Sequence, residues 1–593
     1  MGRVISSRRF PEFKKQFQER KLTQPNLLIF MTDHQRADTT LPEHPVITPN
    51  LDRFAREGVT FTNTFCPSPH CCPARATFFT GLYPTGHGVW NNICNDQALS
   101  RGVKPGVRLW SEDLAAAGYS LHFSGKWHVS VEESPADRGW IEHFVSAGKG
   151  TYHGWQWEQY RKLGDIGRKD DKGTGGHGDT VMRGEGEILR PGYGTYRLYG
   201  AGEVKTTGAL QHDETAVAKA LDVLPKLAAG GQPWCLYVGL IGPHDPYIVP
   251  QKYLDLYDLA DVPLPPSFSD DLTDKPRIYQ RMRETRFGQL SEREVREGIR
   301  HFWAYCTYLD DLFGRLLAAL DATGQAENTL VLYTADHGDY CGEHGFFAKG
   351  IPCFQGAYRV PAIMRWPAGI IHPGRRADAF VSLADFGPTF QDLATRPEPV
   401  EGRFDSLSDR THPEPVEGRF DSLSDRTHPE PVEGRFDQPF GQLRTPLSDG
   451  PHPEPVEGRF GQLRTPLSER ARPTGVSLLP FLREETPADW RDEIHTQCNG
   501  VELYYTQRSV LTRDFKYVFN GFDKDELYDL RADPHEMRNL ADDPAYESAK
   551  RELCGRMWRF AYQENDAAIN PYITVGLAPY GPAEAFRQLP TDT

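Results

Sequence analysis

Three short apolar runs read as buried strands, and each ends on polar residues that a strand does not need: "NLLIFMTDHQR" (26–36), "WCLYVGLIGPHDPY" (234–247) and "TLVLYTADHGDY" (329–340). Runs that are apolar at nearly every position, rather than at every second one, belong to strands covered on both faces. Helix-like stretches lie between them at 50–58, 109–119, 213–230 and 296–324. Strand and helix alternating in this way predict an α/β fold with a large, mainly parallel central sheet flanked by helices. In such sheets ligands bind beyond the carboxyl ends of the strands. Asp33, His244 and the pair Asp336-His337 all fall there, so strand tips far apart in the chain are expected to meet at one site.

The stretch "HCCPARATFFTG" (70–81) adds a further component. Pro73 suits the first position of a helix, because its missing N–H has no intrahelical partner to lose there. Gly81 suits the residue just past the helix end. Cys71 then lies at the N-terminal mouth, where unpaired N–H groups and the helix dipole favour negative charge, with Arg75 one turn further along the same face. A nucleophile and an oxyanion are both stabilised in such a place. Asp33 and Asp336 each close an apolar strand, where a carboxylate is costly unless positive charge sits beside it. With His337 they point to one divalent cation held mainly by oxygen: calcium, magnesium or manganese. Lys126 and His128 in "SGKWHVS", His244 in "GPHDPY" and Lys349 in "FFAKG" form a basic group in Gly-flanked loops after strands, where function concentrates. Any one of these residues alone is more often a turn cap or a solvated side chain; their shared place at strand ends singles them out.

The net charge of −15 makes the chain as a whole repel nucleic acid and acidic membranes, so an anionic substrate needs the local cations just named. No run approaches the roughly 18 apolar residues of a membrane span. Arg8-Arg9 is not followed by the apolar stretch of an export signal, and the expectation is a cytoplasmic protein without nucleic-acid or membrane partners. The ten cysteines have no C-x-x-C spacing and indicate neither a zinc ribbon nor a disulfide framework; Cys235, Cys306 and Cys554 read as small buried apolar residues.

The unit "PEPVEGRF" recurs at 397, 413, 429 and 453, and "GQLRTPLS" occurs twice. Its prolines block helix and central strand alike, and little in it could form a core. It reads as an unstructured insertion, with a Pro-rich partner-binding segment as the alternative. The expected division is a lead segment (1–25), a catalytic α/β domain (26–395), the repeat insertion (396–474) and a C-terminal α+β subdomain with its tail (475–593). In the last, 504–534 reads as an antiparallel meander and 545–565 as a helix. The stretch 148–203, rich in Gly, Tyr and Trp, reads either as a sugar-stacking surface or as a cover over the cleft.

"CCPAR" fits the signature C-x-P-x-R with Cys71 in first place, whereas Cys66 has neither Pro nor Arg at the needed offsets. "TDHQRAD", "TPNLDRFAREGVTFTN", "GLYPTGHGV", "GKWH", "GPHDPY", "DHGDYCGEHG", "RVPAIMRWP" and "ELYDLRADPHEMRNLA" follow in order. On these the chain resembles the formylglycine-dependent sulfatases of the alkaline phosphatase superfamily. The resemblance implies that a formylglycine-generating enzyme oxidises Cys71 to formylglycine. Its hydrate then attacks sulfur in line, the alcohol leaves, and the aldehyde reforms as sulfate departs. It implies one divalent metal, calcium foremost, held by Asp33, Asp336, His337 and the modified Cys71. Arg75 and Lys126 would steady the diol and the metal-side charge, and His128 would move protons on the hydrate. His244 and Lys349 would bind the sulfate oxygens, with His244 also able to protonate the leaving alkoxide. The substrate would be a small-molecule or saccharide sulfate ester.

The chain departs from the pattern at two places. Where many members carry two consecutive aspartates it has Asp33-His34. His34 is either an added nitrogen ligand, which favours manganese over calcium, or a side chain that points away. Ala74 stands where serine is commoner. The same residues resemble the phosphonate monoester and phosphodiester hydrolases, which makes a hydrolase of phosphorus esters the alternative. Outside enzymes, the alternative is an inactive relative that binds partners through its repeats.

Overall fold

The computed structural model describes residues 24–152, 183–190, 194–395, 474–483, 487–500, 504–521, 523–577 and 579–587. The lead segment up to residue 23, the repeats and most of 148–203 lie outside the described residues. The central sheet has eight strands: β1 (Asn26–Thr32), β2 (Val59–Phe65), β3 (Ser120–Lys126), β4 (Ile141–Ser146), β5 (Trp234–Gly239), β6 (Thr329–Ala335), β7 (Ala362–Arg365) and β8 (Arg375–Ser382). Their order is β8-β2-β7-β6-β1-β5-β3-β4, and only β7 runs against its neighbours. The helices that matter for the site are α1 (Pro49–Arg56), α2 (Cys71–Thr80), α3 (Gly208–Ala229), α4 (Glu292–Ala322) and α5 (Phe386–Thr395).

The unbroken apolar character of β1 now has its reason. Leu27, Ile29 and Met31 join a core that includes Phe78 and Phe79 of α2 and Phe390 of α5. Leu28 and Phe30 join a second core with Leu51 and Phe54 of α1, Leu210 and Leu224 of α3 and Phe313 of α4. Each such side chain, fully buried, contributes about 1.5–3 kcal/mol, so both faces of the strand are fixed. Register then aligns the strand tips: Thr32 pairs with Ala335, and Met31 and Gly125 both pair with Gly239. Asp33, Asp336, Leu240 and Lys126 leave the sheet side by side. The close approach of β3 to β5 needs Gly125, whose φ is 120° and where a Cβ would lie 1.9 Å from the Gly239 carbonyl oxygen.

Helix α2 starts at Cys71 and closes on Gly81 in the left-handed conformation, with φ 70°. Pro73 is therefore the third helical residue rather than the first. The first four N–H groups of a helix all lack intrahelical partners, so proline loses nothing at the third place either.

Beyond residue 474 a separate antiparallel sheet comprises β9 (Glu493–Cys498), β10 (Gln507–Thr512), β11 (Phe515–Phe519) and β12 (Glu526–Asp529) in that order. Helix α6 (Glu547–Gln563) covers it, with Leu553, Met557 and Trp558 on Val510, Tyr517 and Leu527. The meander thus begins one strand earlier than the sequence pattern placed it. Strand β9 hides because several of its buried positions are polar, and Thr496 and Gln497 find partners only in the fold. Thr496 Oγ1 meets Ser509 Oγ at 2.6 Å, and Gln497 Oε1 accepts from Thr85 N at 3.0 Å. Among the described residues no helix is long and apolar enough to cross a membrane.

The chain resumes after the repeats beside the point where it left. Leu478 N donates to Thr389 Oγ1 of α5 (2.8 Å), Val476 N to Asp385 Oδ1 just before it (2.7 Å), and Gly475 N to the Gly81 carbonyl (3.1 Å). Contacts outside the repeats therefore fasten both flanks. Deleting 397–472 is expected to leave the cooperative melting midpoint within a few degrees of the parent; loss of folding would show that the repeats support the fold.

Candidate active site

Cys71 opens α2 at the carboxyl edge of the sheet and is 1% exposed. Its Sγ lies 3.5 Å from Asp33 Oδ1, 3.4 Å from His337 Nε2 and 3.0 Å from Lys349 Nζ. The orientation of His337 is settled by its other nitrogen: Nδ1 is 2.8 Å from the Gly338 carbonyl. A carbonyl only accepts, so Nδ1 carries the proton and Nε2 presents a lone pair. That lone pair faces Asp33 Oδ1 at 3.4 Å. Asp33, His34, Cys71 and His337 each offer one ligand atom within 4.8 Å of the others. Carboxylate oxygen, imidazole nitrogen and sulfur, or an oxygen in its place, suit a divalent cation. Asp336 flanks this group, with Oδ1 3.8 Å from His337 Nε2 and Oδ2 held by Arg75 Nε at 2.7 Å.

The acidic tips are wrapped in cations. Arg75 is fully buried; Nη1 donates to the Lys126 carbonyl (2.9 Å) and to Tyr237 Oη (3.0 Å), and Nη2 lies 3.7 Å from Asp33 Oδ2. Lys126 Nζ donates to Asp33 Oδ2. Burial and the neighbouring Cys71 push the Asp33 carboxyl up, but Lys126, His244 and Lys349 pull harder and leave it at about 2. Asp336 is raised by burial and by Asp33, against the pull of Arg75. Burial raises the Cys71 thiol, and Lys126, Lys349, His337 and a hydrogen bond with His128 more than reverse it, so it ionises well below the ordinary thiol range. The pocket around residue 71 is built to hold negative charge.

His244 forms the open side, its side chain 31% exposed. Burial and Lys349 lower its pKa, while Asp245, with Oδ1 3.2 Å from Nδ1, raises it to about 10. Lys349 Nζ is 3.3 Å from His244 Nε2. His128 has φ 57°, and its buried Nδ1 has no hydrogen-bond partner among the described residues. Asp33, Cys71, Arg75, Lys126, His128, His244, Asp336, His337 and Lys349 therefore form one connected group. His34 does not point away: its ring centre is 3.9 Å from that of His244 and 4.3 Å from that of His337.

Other residues belong to the site without having been singled out by pattern. Asp245 charges His244, and Asp339 accepts from Tyr247 Oη at 2.7 Å and faces His34 Nδ1 at 3.2 Å. Both stand inside stretches that mark the site, "GPHDPY" and "DHGDY", and a second acidic residue there was the available signal. Tyr237, in the middle of apolar β5, gave none.

A side chain at a helix mouth that is stabilised as an anion, beside residues that could hold a cation and faced by cationic donors, suits chemistry on an anionic ester. The chain belongs to the sulfatase family: the family model named Sulfatase matches residues 25–395, more than half of its length. A second model, that of the N-sulphoglucosamine sulphohydrolase C-terminal region, matches residues 466–563. Choline-sulfatase of Rhizobium meliloti (strain 1021) is 26% identical over 546 residues, which cover 88% of this chain and 83% of that protein. The fold is shared with the phosphonate monoester hydrolase of Silicibacter pomeroyi, at a TM-score of 0.62 and 20% identity over 92% of this chain and 96% of that one. It is also shared with a protein solved in complex with its substrate D-glucosamine-2-N,6-O-disulfate, at a TM-score of 0.57 and 19% identity over 92% and 99% of the two chains.

Removing Arg75 leaves Asp336 buried without its partner, and breaking such a pair costs about 3–5 kcal/mol. Arg75→Met is therefore expected to lower the unfolding free energy in urea by that amount; a change below about 1 kcal/mol would show that the pair does not hold these strand tips.

Proposed function

We propose that the protein hydrolyses an organic sulfate monoester to the alcohol and inorganic sulfate, with residue 71 as the nucleophile once its thiol has been oxidised to formylglycine by a formylglycine-generating enzyme. The observation that carries this reading is the anion-stabilising pocket in which Cys71 sits, between Asp33 and His337 on one side and Lys349 on the other. Formylglycine supplies a hydrated aldehyde, an oxygen nucleophile with a second hydroxyl through which the sulfated form can break down. Asp33, Asp336, His337 and residue 71 would hold a divalent cation, which lowers the nucleophile's pKa and offsets charge on the sulfuryl oxygens.

The remaining roles follow from charge and reach. Lys126 helps keep Asp33 ionised, and Arg75 holds Asp336 in place. His128, hydrogen-bonded to the residue 71 side chain, takes and returns the proton of the nucleophile. Lys349 and a charged His244, 3.3 Å apart, repel each other unless an anion lies between them, so the sulfate oxygens belong there. His244 faces the open side, and its proton is the one available to the leaving alcohol. Asp245 keeps that proton in place at neutral pH. The substrate is a small-molecule or saccharide sulfate ester; the D-glucosamine-2-N,6-O-disulfate with which one structural relative was solved supports the sugar class. The ten buried, unbridged cysteines suit a reducing, cytoplasmic setting. The likeness to a phosphonate monoester hydrolase supports a second reading in which the central atom is phosphorus.

The test is turnover of an aryl sulfate against an aryl phosphonate monoester, using protein made in a host that forms formylglycine. The sulfate is expected to be preferred in kcat/KM, Cys71→Ala to be inactive, and His244→Ala to lose about 10²–10³-fold. Preference for the phosphonate by orders of magnitude, or full activity in protein whose Cys71 peptide retains the thiol, would overturn the reading.

A further inference from the structure

His34 follows Asp33 directly after β1 with φ 68°, a left-handed conformation that a residue with a Cβ adopts rarely and keeps only where its surroundings impose it. Asp339 is the imposing partner. Its carboxylate is fully buried and takes Tyr247 Oη at 2.7 Å, Cys341 N at 2.8 Å and His34 Nδ1 at 3.2 Å. A carboxylate only accepts, so the imidazole proton is on Nδ1 and Nε2 carries a lone pair. That lone pair is aimed into the space shared by Cys71, Asp33 and His337. Nε2 is 3.8 Å from Asp33 Oδ1, and the four residues fall in one group of possible ligands. Lys349 Nζ donates to Nε2, which agrees with a lone pair on that nitrogen; a bound cation would take the place of that donor.

We propose that His34 is a nitrogen ligand of the divalent cation, oriented by Asp339, and that with two imidazoles the site selects manganese(II) over calcium. The inference rests on the cation-dependent reading given above. Calcium takes oxygen ligands, commonly 6–8 of them, whereas imidazole beside carboxylate suits first-row ions. The Asp33 and Asp336 carboxylates keep the site hard enough for manganese. Asp339 touches neither ion nor substrate and is a positioning residue: it fixes the tautomer and the ring plane of a ligand, a role whose loss typically costs 10–100-fold in metal affinity. Tyr247 in turn fixes Asp339.

The experiment uses the full chain, stripped with a chelator and titrated with Mn2+ and with Ca2+ against a fluorescent indicator at pH 8. Pulsed electron paramagnetic resonance of the Mn2+ protein counts coupled nitrogens. The parent is expected to bind Mn2+ at least about tenfold more tightly than Ca2+ and to show two imidazole couplings. His34→Gln should lose one coupling and about tenfold or more in Mn2+ affinity, and His34→Asp, an oxygen donor in the same place, should move the preference toward Ca2+. Asp339→Asn should weaken Mn2+ about 10–100-fold, because an amide can offer N–H to Nδ1 and move the imidazole proton to Nε2. Tyr247→Phe, which keeps the ring, should weaken it less and serves if Asp339→Asn folds poorly. Unchanged Mn2+ affinity and couplings in His34→Gln, with turnover lost, would assign His34 to Lys349 alone and overturn the inference. A parent that binds neither ion would overturn the cation-dependent reading itself, and this inference with it.

Discussion

Asp33 and Asp336 leave neighbouring parallel strands at matched register, in a place with no access to water. Two carboxylates so placed cannot both stay ionised unless positive charge surrounds them. Arg75 and Lys126 supply it from the protein side, by way of a helix that begins at Cys71 and a strand that ends at Lys126. The same arrangement fixes residue 71, since the Arg75 that anchors Asp336 lies one turn beyond Cys71 on α2. Lys349 and His244 close the open side. The rest of the architecture, including both cores and the aligned strand ends, serves to hold these opposed charges within a few ångströms of one another.

Much of this was legible in the sequence for a physical reason. Strands covered on both faces must be apolar throughout, so β1, β5 and β6 stand out, and polar residues directly after them have no structural task. Asp33, Asp336, His337 and His244 were visible on that ground. Lys126, His128 and Lys349 were visible as members of short stretches in Gly-flanked loops, and Cys71 with Arg75 by their spacing around Pro73.

What stayed hidden depends on partners brought together by the fold. Asp339 and Asp245 are acidic residues whose importance comes from His34, His244 and Tyr247, which approach them only in three dimensions. Strand β9 is mostly polar, and its buried Thr496 and Gln497 are accommodated because they meet Ser509 and Thr85. The register that sets Thr32 beside Ala335 is likewise a property of packing on two faces. His34 shows both sides: its oddity was readable beside Asp33, and its direction was not, because Asp339 decides it.

The central claim is that strand tips and a helix mouth, separated by hundreds of residues, form a single cation site around residue 71. Anomalous diffraction from crystals grown with manganese, collected on both sides of the metal's absorption edge, measures this directly. The account requires one strong peak within bonding distance of Asp33, His337 and residue 71. A peak elsewhere, or none in a crystal whose fold is intact, would contradict it.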